Sequence, residues 1–412
     1  MYLCIDLKSF YASCECSMRG LDPFKVNLVV ADKSRGNGTI TLAVTPHMKE
    51  LGVKSRCRLF EIDKDIDYII AKPRMRKYME ISSYIYSIYL DYFAEEDIHV
   101  YSIDEVFIDL NPYLYMYNMN PMEIAHMIMD TVYEKTNICS TVGIGTNLYL
   151  AKIAMDIFSK HSNSNIGYLD EELFKKYLWK HRPLTDFWGI GRGINERLNS
   201  LGIFDMEDIS KCDESILYKE FGINARLLID HSLGIETTTM KDIKKYVPKS
   251  KSLSSSQILF RDYNFNQTKI ILKEMIDDLM GEVSKKEVFV IGIYLSIGYS
   301  KDVIKFKTCS KKIDGSCSYE EILKHYMELY NKYVNRVIPI RKVGISFKIT
   351  NGINRQLDMF SETDIGKDIS LNRSIESMKR RYGKNAILRT VSLEDGANQM
   401  DRNRLVGGHN AN

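Results

Sequence analysis

Three carboxylates raise the question of chemistry. Residues 2–5 are apolar and β-prone, and the run ends on Asp6. A second strand-like run, residues 100–109, is interrupted by Asp104 and Glu105. Adjacent residues on a regular strand point to opposite faces, so both acids reach one site only at a hairpin tip or a bulge. Burying either of them unpaired is costly. A divalent cation would offset the repulsion among the three. Oxygen-only ligation suits Mg2+, which binds through a few carboxylates and substrate phosphates. Two such ions form a clamp for in-line phosphoryl or nucleotidyl transfer. The plainer alternatives are a helix N-cap for Asp6 and a solvated surface pair for Asp104 and Glu105.

The elements that would surround such a site are legible in part. Residues 253–260 read as a strand, and residues 268–283 place Ile271, Met275, Leu279 and Val283 at helical spacing. Residues 288–299 alternate, and residues 303–309 read as a short strand. Ser318 and Glu321 match a capping box ahead of a helix carrying Ile322, Tyr326, Leu329 and Tyr333. Val343, Ile345, Phe347 and Ile349 then alternate with Lys342, Gly344, Ser346 and Lys348. The order is βαββαβ, a split βαβ unit. Its helices would cover one sheet face. The other face would be small, polar and basic, with Lys305, Lys307, Lys342 and Lys348, and suited to lie along a nucleic-acid backbone. A solvated antiparallel face has the same pattern.

Residues 184–203 give a second nucleic-acid signal. Gly189-Ile190-Gly191-Arg192 lies between two short apolar-framed segments and resembles a helix-hairpin-helix, whose glycines and helix N–H groups approach phosphate. A plain αα-turn is the alternative. Residues 241–251 are polar, lysine-rich and contain Pro248, which predicts an extended linker.

Composition narrows the class. The 412 residues are 44% hydrophobic and 27% charged, which excludes a disordered or collagen-like chain and predicts two to four domains. No apolar run has membrane-spanning length, and the start lacks a basic signal-peptide region. The eight cysteines form no CxxC pair and the eight histidines are scattered, so a reduced, cytoplasmic protein without a zinc site is expected. The net charge of +3 conceals an asymmetry: residues 1–240 carry −8 and residues 241–412 carry +11. A basic part joined to an acidic part suggests one region that grips a polyanion.

The text around the carboxylates goes further. Asp6-Leu7-Lys8-Ser9-Phe10-Tyr11-Ala12-Ser13-Cys14-Glu15 and Tyr101-Ser102-Ile103-Asp104-Glu105 resemble the two signature motifs of Y-family translesion DNA polymerases. Residues 10–15 look most like the UmuC branch, and residues 380–384 and 402–409 resemble the tails of UmuC-like polymerases from Gram-positive bacteria, plasmids and phages. Val142-Gly143-Ile144-Gly145, leading to Leu150-Ala151-Lys152-Ile153-Ala154, is a third match in the same order.

The resemblance implies an α+β multidomain right hand. The palm would be 1–9 and 72–165, the fingers 10–71, the helix-hairpin-helix thumb 166–240, the βαββαβ little finger 252–350, and 351–412 a tail. It implies a template-directed DNA polymerase performing translesion synthesis in SOS-type damage tolerance. Asp6, Asp104, Glu105 and the Leu7 carbonyl would bind two Mg2+ ions. Tyr11 would be a steric gate against the ribose 2′-hydroxyl, with Phe10 packed beside it, chiefly as core. Lys49 and Lys160 would meet the dNTP triphosphate. Pro46 stands where many relatives carry a tyrosine, so Thr45 is expected to substitute. Gly189, Gly191, Arg192 and the four lysines of the open sheet face would contact primer-template DNA. Gln356, Leu357, Met359 and Phe360 resemble a peptide that docks on the bacterial sliding clamp, the β subunit. UmuD-like or recombinase partners are further candidates. Two other classes remain as alternatives: a non-catalytic, clamp-associated DNA-binding factor, and a nucleotide cyclase on a similar palm.

Overall fold

The computed structural model describes residues 1–159, 162, 164–248, 251–300, 308–352 and 365–412. The chain divides into two compact units, Met1–Val247 and Pro248–Ala411.

In the first unit the strands, in chain order, are β1 (Tyr2–Leu7), β2 (Leu28–Val30), β3 (Ala43–Val44), β4 (Ile69–Ala71), β5 (Ile98–Val100), β6 (Glu105–Asp109), β7 (Ser140–Gly145) and β8 (Ile166–Leu169). Five form a sheet in the order β5-β6-β1-β7-β8, and three form a second sheet, β3-β2-β4. The central strand β1 is buried on both faces, which is why it reads as an unbroken apolar run up to Asp6. The helix Pro121–Thr136 packs against β7 and against the helix Met75–Leu90. It starts where Pro121 follows Asn120, whose side chain and Glu123 form a capping box.

The opposite sheet face is crossed at very close range. Leu148, Ala151 and Met155 pack against Tyr2, Cys4 and Phe107. These residues belong to the helix Leu148–Ile153 and the π-type turn Ala154–Phe158 that continues it. A Cβ on Gly143 would lie 2.0 Å from the Ala151 carbonyl oxygen, and one on Gly145 would lie 2.1 Å from the Ala151 nitrogen. Two glycines on β7 are therefore what lets this helix rest on the sheet.

The rest of the first unit is helical, around Phe174, Phe187, Leu198, Leu217 and Leu228. Of the expected helix-hairpin-helix, the second helix is present as Arg192–Ser200, but the segment before it is only a 3-10 turn, Leu184–Asp186. Pro183 before it and Gly189, at φ +90°, leave room for little more. Nor are residues 241–251 a plain linker. Met240–Lys245 is a helix, capped by Thr239 and Asp242, with Met240 and Ile243 in the core beside Tyr2 and Phe107.

In the second unit β9 (Ser252–Tyr263), β10 (Phe289–Tyr299), β11 (Cys309–Ser316) and β12 (Ile340–Thr350) form an antiparallel sheet, β11-β10-β12-β9. The helices Phe265–Lys286 and Tyr319–Tyr333 share one core with it. This is the βαββαβ order read from the sequence, with one local correction. Residues 303–307 of the expected third strand lie outside the described residues, and the described strand is Cys309–Ser316. The Ser318 side chain does not cap its helix; Glu321 instead accepts from the Ser316 hydroxyl at 2.7 Å, and that hydroxyl accepts from Ser318 N–H at 3.1 Å.

The chain then returns to the outside of this pair. The helix Ile365–Tyr382 packs against Phe265–Lys286. Asp277 on the latter meets Lys379 at 3.1 Å and Arg389 at 2.6 Å. Glu274, 1% exposed, accepts the backbone N–H groups of Asn398 and Gln399 at 3.0 and 3.1 Å. Near the end of the chain a two-stranded hairpin forms, β13 (Leu405–Val406) with β14 (His409–Asn410).

Candidate active site

Asp6 and Glu105 lie near one end of the central strands, and Asp104 lies on the adjoining hairpin tip. Asp6 on β1 stands directly opposite Glu105 on β6. Cross-strand partners share a face, with Cβ atoms about 5 Å apart. Asp104 lies just outside β6, at the tip of the β5–β6 hairpin, where Tyr101 and Ser102 N–H both donate to the Glu105 carbonyl. The tip is tied to β1 by the Leu7 N–H, which donates to the Asp104 carbonyl at 3.0 Å. The hairpin-tip alternative of the sequence is thus the one realised.

Each acid has a distinct setting. Asp104 accepts from the Ser102 hydroxyl at 2.6 Å. Glu105 is 8% exposed; it accepts from the Cys4 thiol at 3.3 Å, and Lys152 lies 3.0 Å from one oxygen and 3.1 Å from the other. Burial disfavours charge on Lys152, but the Asp156 and Glu105 carboxylates outweigh it and hold its pKa above the usual lysine value. Burial, together with Glu105, pushes the Cys4 thiol far up, so it stays protonated and donates. Among the described residues no three ligand-type side chains converge into a ready-made metal cluster. The donor set itself, three hard carboxylates on adjoining strand ends, is chemically matched to Mg2+. The turn from β1 into the helix Phe10–Ser17 is strained: Ser9 has φ +49°, and its buried hydroxyl has no hydrogen-bond partner among the described residues.

Tyr11 sits beside this turn. Burial and the nearby Asp104 carboxylate raise its phenol pKa. Its ring stacks on Tyr78 with centroids 4.8 Å apart. Tyr78 is fully buried and donates to Glu15 at 2.8 Å. Arg74 grips the same carboxylate through two nitrogens, at 3.0 and 2.8 Å, and Arg19 also donates to it. Burial opposes the Glu15 charge, but these partners hold its pKa below the usual range.

Comparison with known proteins decides the family. Residues 5–156 match the model of the impB/mucB/samB family. Bacillus subtilis UvrX, named as a putative UV-damage repair protein, is 33% identical across 99% of this chain and 97% of its own length. DNA polymerase IV 2 of the same species is 27% identical over 98% of this chain and 97% of its own. A solved Y-family DNA polymerase chimera of Dbh and Dpo4 superimposes with a TM-score of 0.66 at 22% identity, covering 86% of this chain and 99% of that one. The chain belongs to the Y family of DNA polymerases. Its α+β multidomain architecture, with palm, thumb and little-finger-like parts, is the architecture of that fold.

Other expected contacts of this Y-family polymerase fare unequally. Phe10 is 3% exposed, so its side chain is core and not a nucleotide contact. Thr45 does not substitute for the missing tyrosine: it is fully buried, and its hydroxyl donates to the Val26 carbonyl at 2.8 Å and accepts from Leu28 N–H. Lys49 is exposed on the helix Pro46–Glu50. Gly191 is the N-cap of the helix Arg192–Ser200, and Arg192 is exposed beside it, paired with Glu196 at 2.7 Å. Lys342 and Lys348 are exposed on the open face of the second sheet, with Gly344, Ser346, Ser254, Ser256 and Tyr294 between and beside them. Lys312, which the sequence reading passed over, joins that face: it pairs with Gly292, which also pairs with Lys348. Lys160, Lys305, Lys307, Gln356, Leu357, Met359 and Phe360 lie outside the described residues. Lys152, Cys4, Glu15 and Tyr78 were missed as parts of the site. Only Lys152 carried a signal, a lone charge inside the apolar run 148–154. No described helix is long and apolar enough to cross a membrane.

Proposed function

We propose that this Y-family polymerase copies damaged templates by two-metal nucleotidyl transfer, as part of a DNA-damage response of the SOS type. Asp6, Asp104, Glu105 and the Leu7 carbonyl would hold two Mg2+ ions, which supply positive charge to an in-line displacement at phosphorus. The primer 3′-oxygen attacks the α-phosphorus of the incoming dNTP. A new P–O bond forms as the bond to pyrophosphate breaks. Tyr11, braced by Tyr78, closes the space a ribose 2′-hydroxyl would need. Lys49 and Lys160 meet the triphosphate as point charges. Gly189, Gly191 and Arg192 approach the DNA backbone, as do Lys305, Lys307, Lys342 and Lys348. The stretch Gln356–Phe360 recruits the sliding clamp, and the enzyme works in the cytoplasm.

The observation that carries this reading is the placement of Asp6 opposite Glu105, with Asp104 on the adjoining tip. Primer extension with the Asp104→Ala variant tests it. Activity is expected to fall by about 10³-fold or more. Extension at the wild-type rate would show that the assignment is wrong, whereas no dNTP incorporation by the wild type itself would favour a non-catalytic DNA-binding role.

A further inference from the structure

Glu105 is held by groups that the transfer reaction does not require. Both of its oxygens lie within 3.1 Å of the Lys152 ammonium, and Cys4 donates to one of them. Lys152 is itself only 7% exposed and lies 3.0 Å from Asp156, so it is wedged between two carboxylates. It is carried by the helix that the β7 glycines press onto the sheet, which leaves the ammonium little freedom to withdraw. Asp104, for its part, is engaged by Ser102.

We propose that Lys152 is a resident counter-ion for Glu105. In the metal-free protein its ammonium neutralises this carboxylate and holds it toward the crossing helix. A divalent cation must then compete with that hold to engage Glu105. The inference rests on the metal reading of Asp6, Asp104 and Glu105 given above. Lys152 is a positioning residue; it touches a ligand and not the reacting atoms. Removing it leaves Glu105 buried without its partner and opposite Asp6. Two effects of opposite sign follow. The metal-free fold loses stability, and the site binds a divalent cation more tightly.

The test uses the full chain and Mn2+ as the probe. Calorimetric titration compares the wild type with Lys152→Met, with Lys152→Gln and with Asp6→Asn. Thermal unfolding is followed with EDTA and with Mn2+. Both Lys152 variants are expected to bind Mn2+ about tenfold more tightly, the size of effect that one adjacent charge commonly has on a carboxylate. They should also melt lower than wild type in EDTA and regain more on adding Mn2+. Lys152→Gln keeps a donor beside Glu105 and decides the matter if Lys152→Met does not fold. Affinity equal to or weaker than wild type in the folded variants overturns the proposal. Wild-type binding that survives Asp6→Asn sinks the metal reading, and the proposal with it.

Discussion

At the scale of single residues, the site depends on side chains locked by partners distant in sequence. The Tyr11 ring rests on Tyr78, and Tyr78 is fixed through Glu15 by Arg74, a bond spanning 59 residues. A braced ring discriminates better than a mobile one, because it cannot swing aside to admit the larger sugar. Tyr11→Ala is expected to raise ribonucleotide incorporation by about 10²-fold relative to deoxyribonucleotides, read from single-nucleotide insertion with matched dNTP and rNTP. An unchanged ratio would remove the gate role. The places of Asp6 near a strand end and Asp104 on a hairpin tip were legible because each carboxylate interrupts a local apolar run. Thr45 was misread because burial is not written in a short stretch of sequence: its hydroxyl is engaged by Val26 and by Leu28, the first residue of β2. The Tyr78 brace had no local signal, since it exists only through tertiary contact.

At the scale of elements, the Gly143–Gly145 pair sets the distance between helix and sheet. A methyl at position 143 would also meet the Met155 nitrogen at 2.3 Å, and backbone atoms cannot yield as a flexible side chain does. Gly143→Ala is expected to destabilise the protein by about 3 kcal/mol, measured by urea unfolding. Gly344→Ala, whose nearest neighbours are two serine side chains at 3.6 Å, should be close to neutral and serves as the control. The strands and helices of the second unit were legible because their apolar periods are long and regular. The cap at Ser318 was not, since the Ser316 hydroxyl engages both Ser318 N–H and the Glu321 carboxylate. The helix Met240–Lys245 was hidden by its lysines, whose charges lie on the solvent side of a short segment with Met240 and Ile243 inward.

At the scale of the whole molecule, charge is divided unevenly along the chain. The part carrying −8 contains the carboxylates, and the part carrying +11 presents the open sheet face with Lys312, Lys342 and Lys348. Backbone contacts by lysine add affinity without sequence preference and steepen the dependence on salt. The double variant Lys342→Ala, Lys348→Ala is expected to weaken primer-template binding. The slope of log affinity against log salt should fall by about 1 per lysine, measured by fluorescence anisotropy over a salt series. A slope identical to wild type would place the DNA elsewhere.

The seating of Glu274 has a consequence for how the protein is made. Its carboxylate is buried, and the N–H groups it accepts belong to residues 124 and 125 positions later in the chain. At about 5–20 residues per second, a ribosome delivers those partners about 6–25 s after Glu274 itself. During that interval the helix bearing Glu274, Asp277 and Asp278 has an acidic flank that nothing yet covers. The second unit therefore completes its fold only once the returning segment has emerged, whereas the first unit, Met1–Val247, has its carboxylates in place well before. The order of synthesis thus delivers the unit that bears the carboxylates first and closes the unit that bears the basic sheet face last.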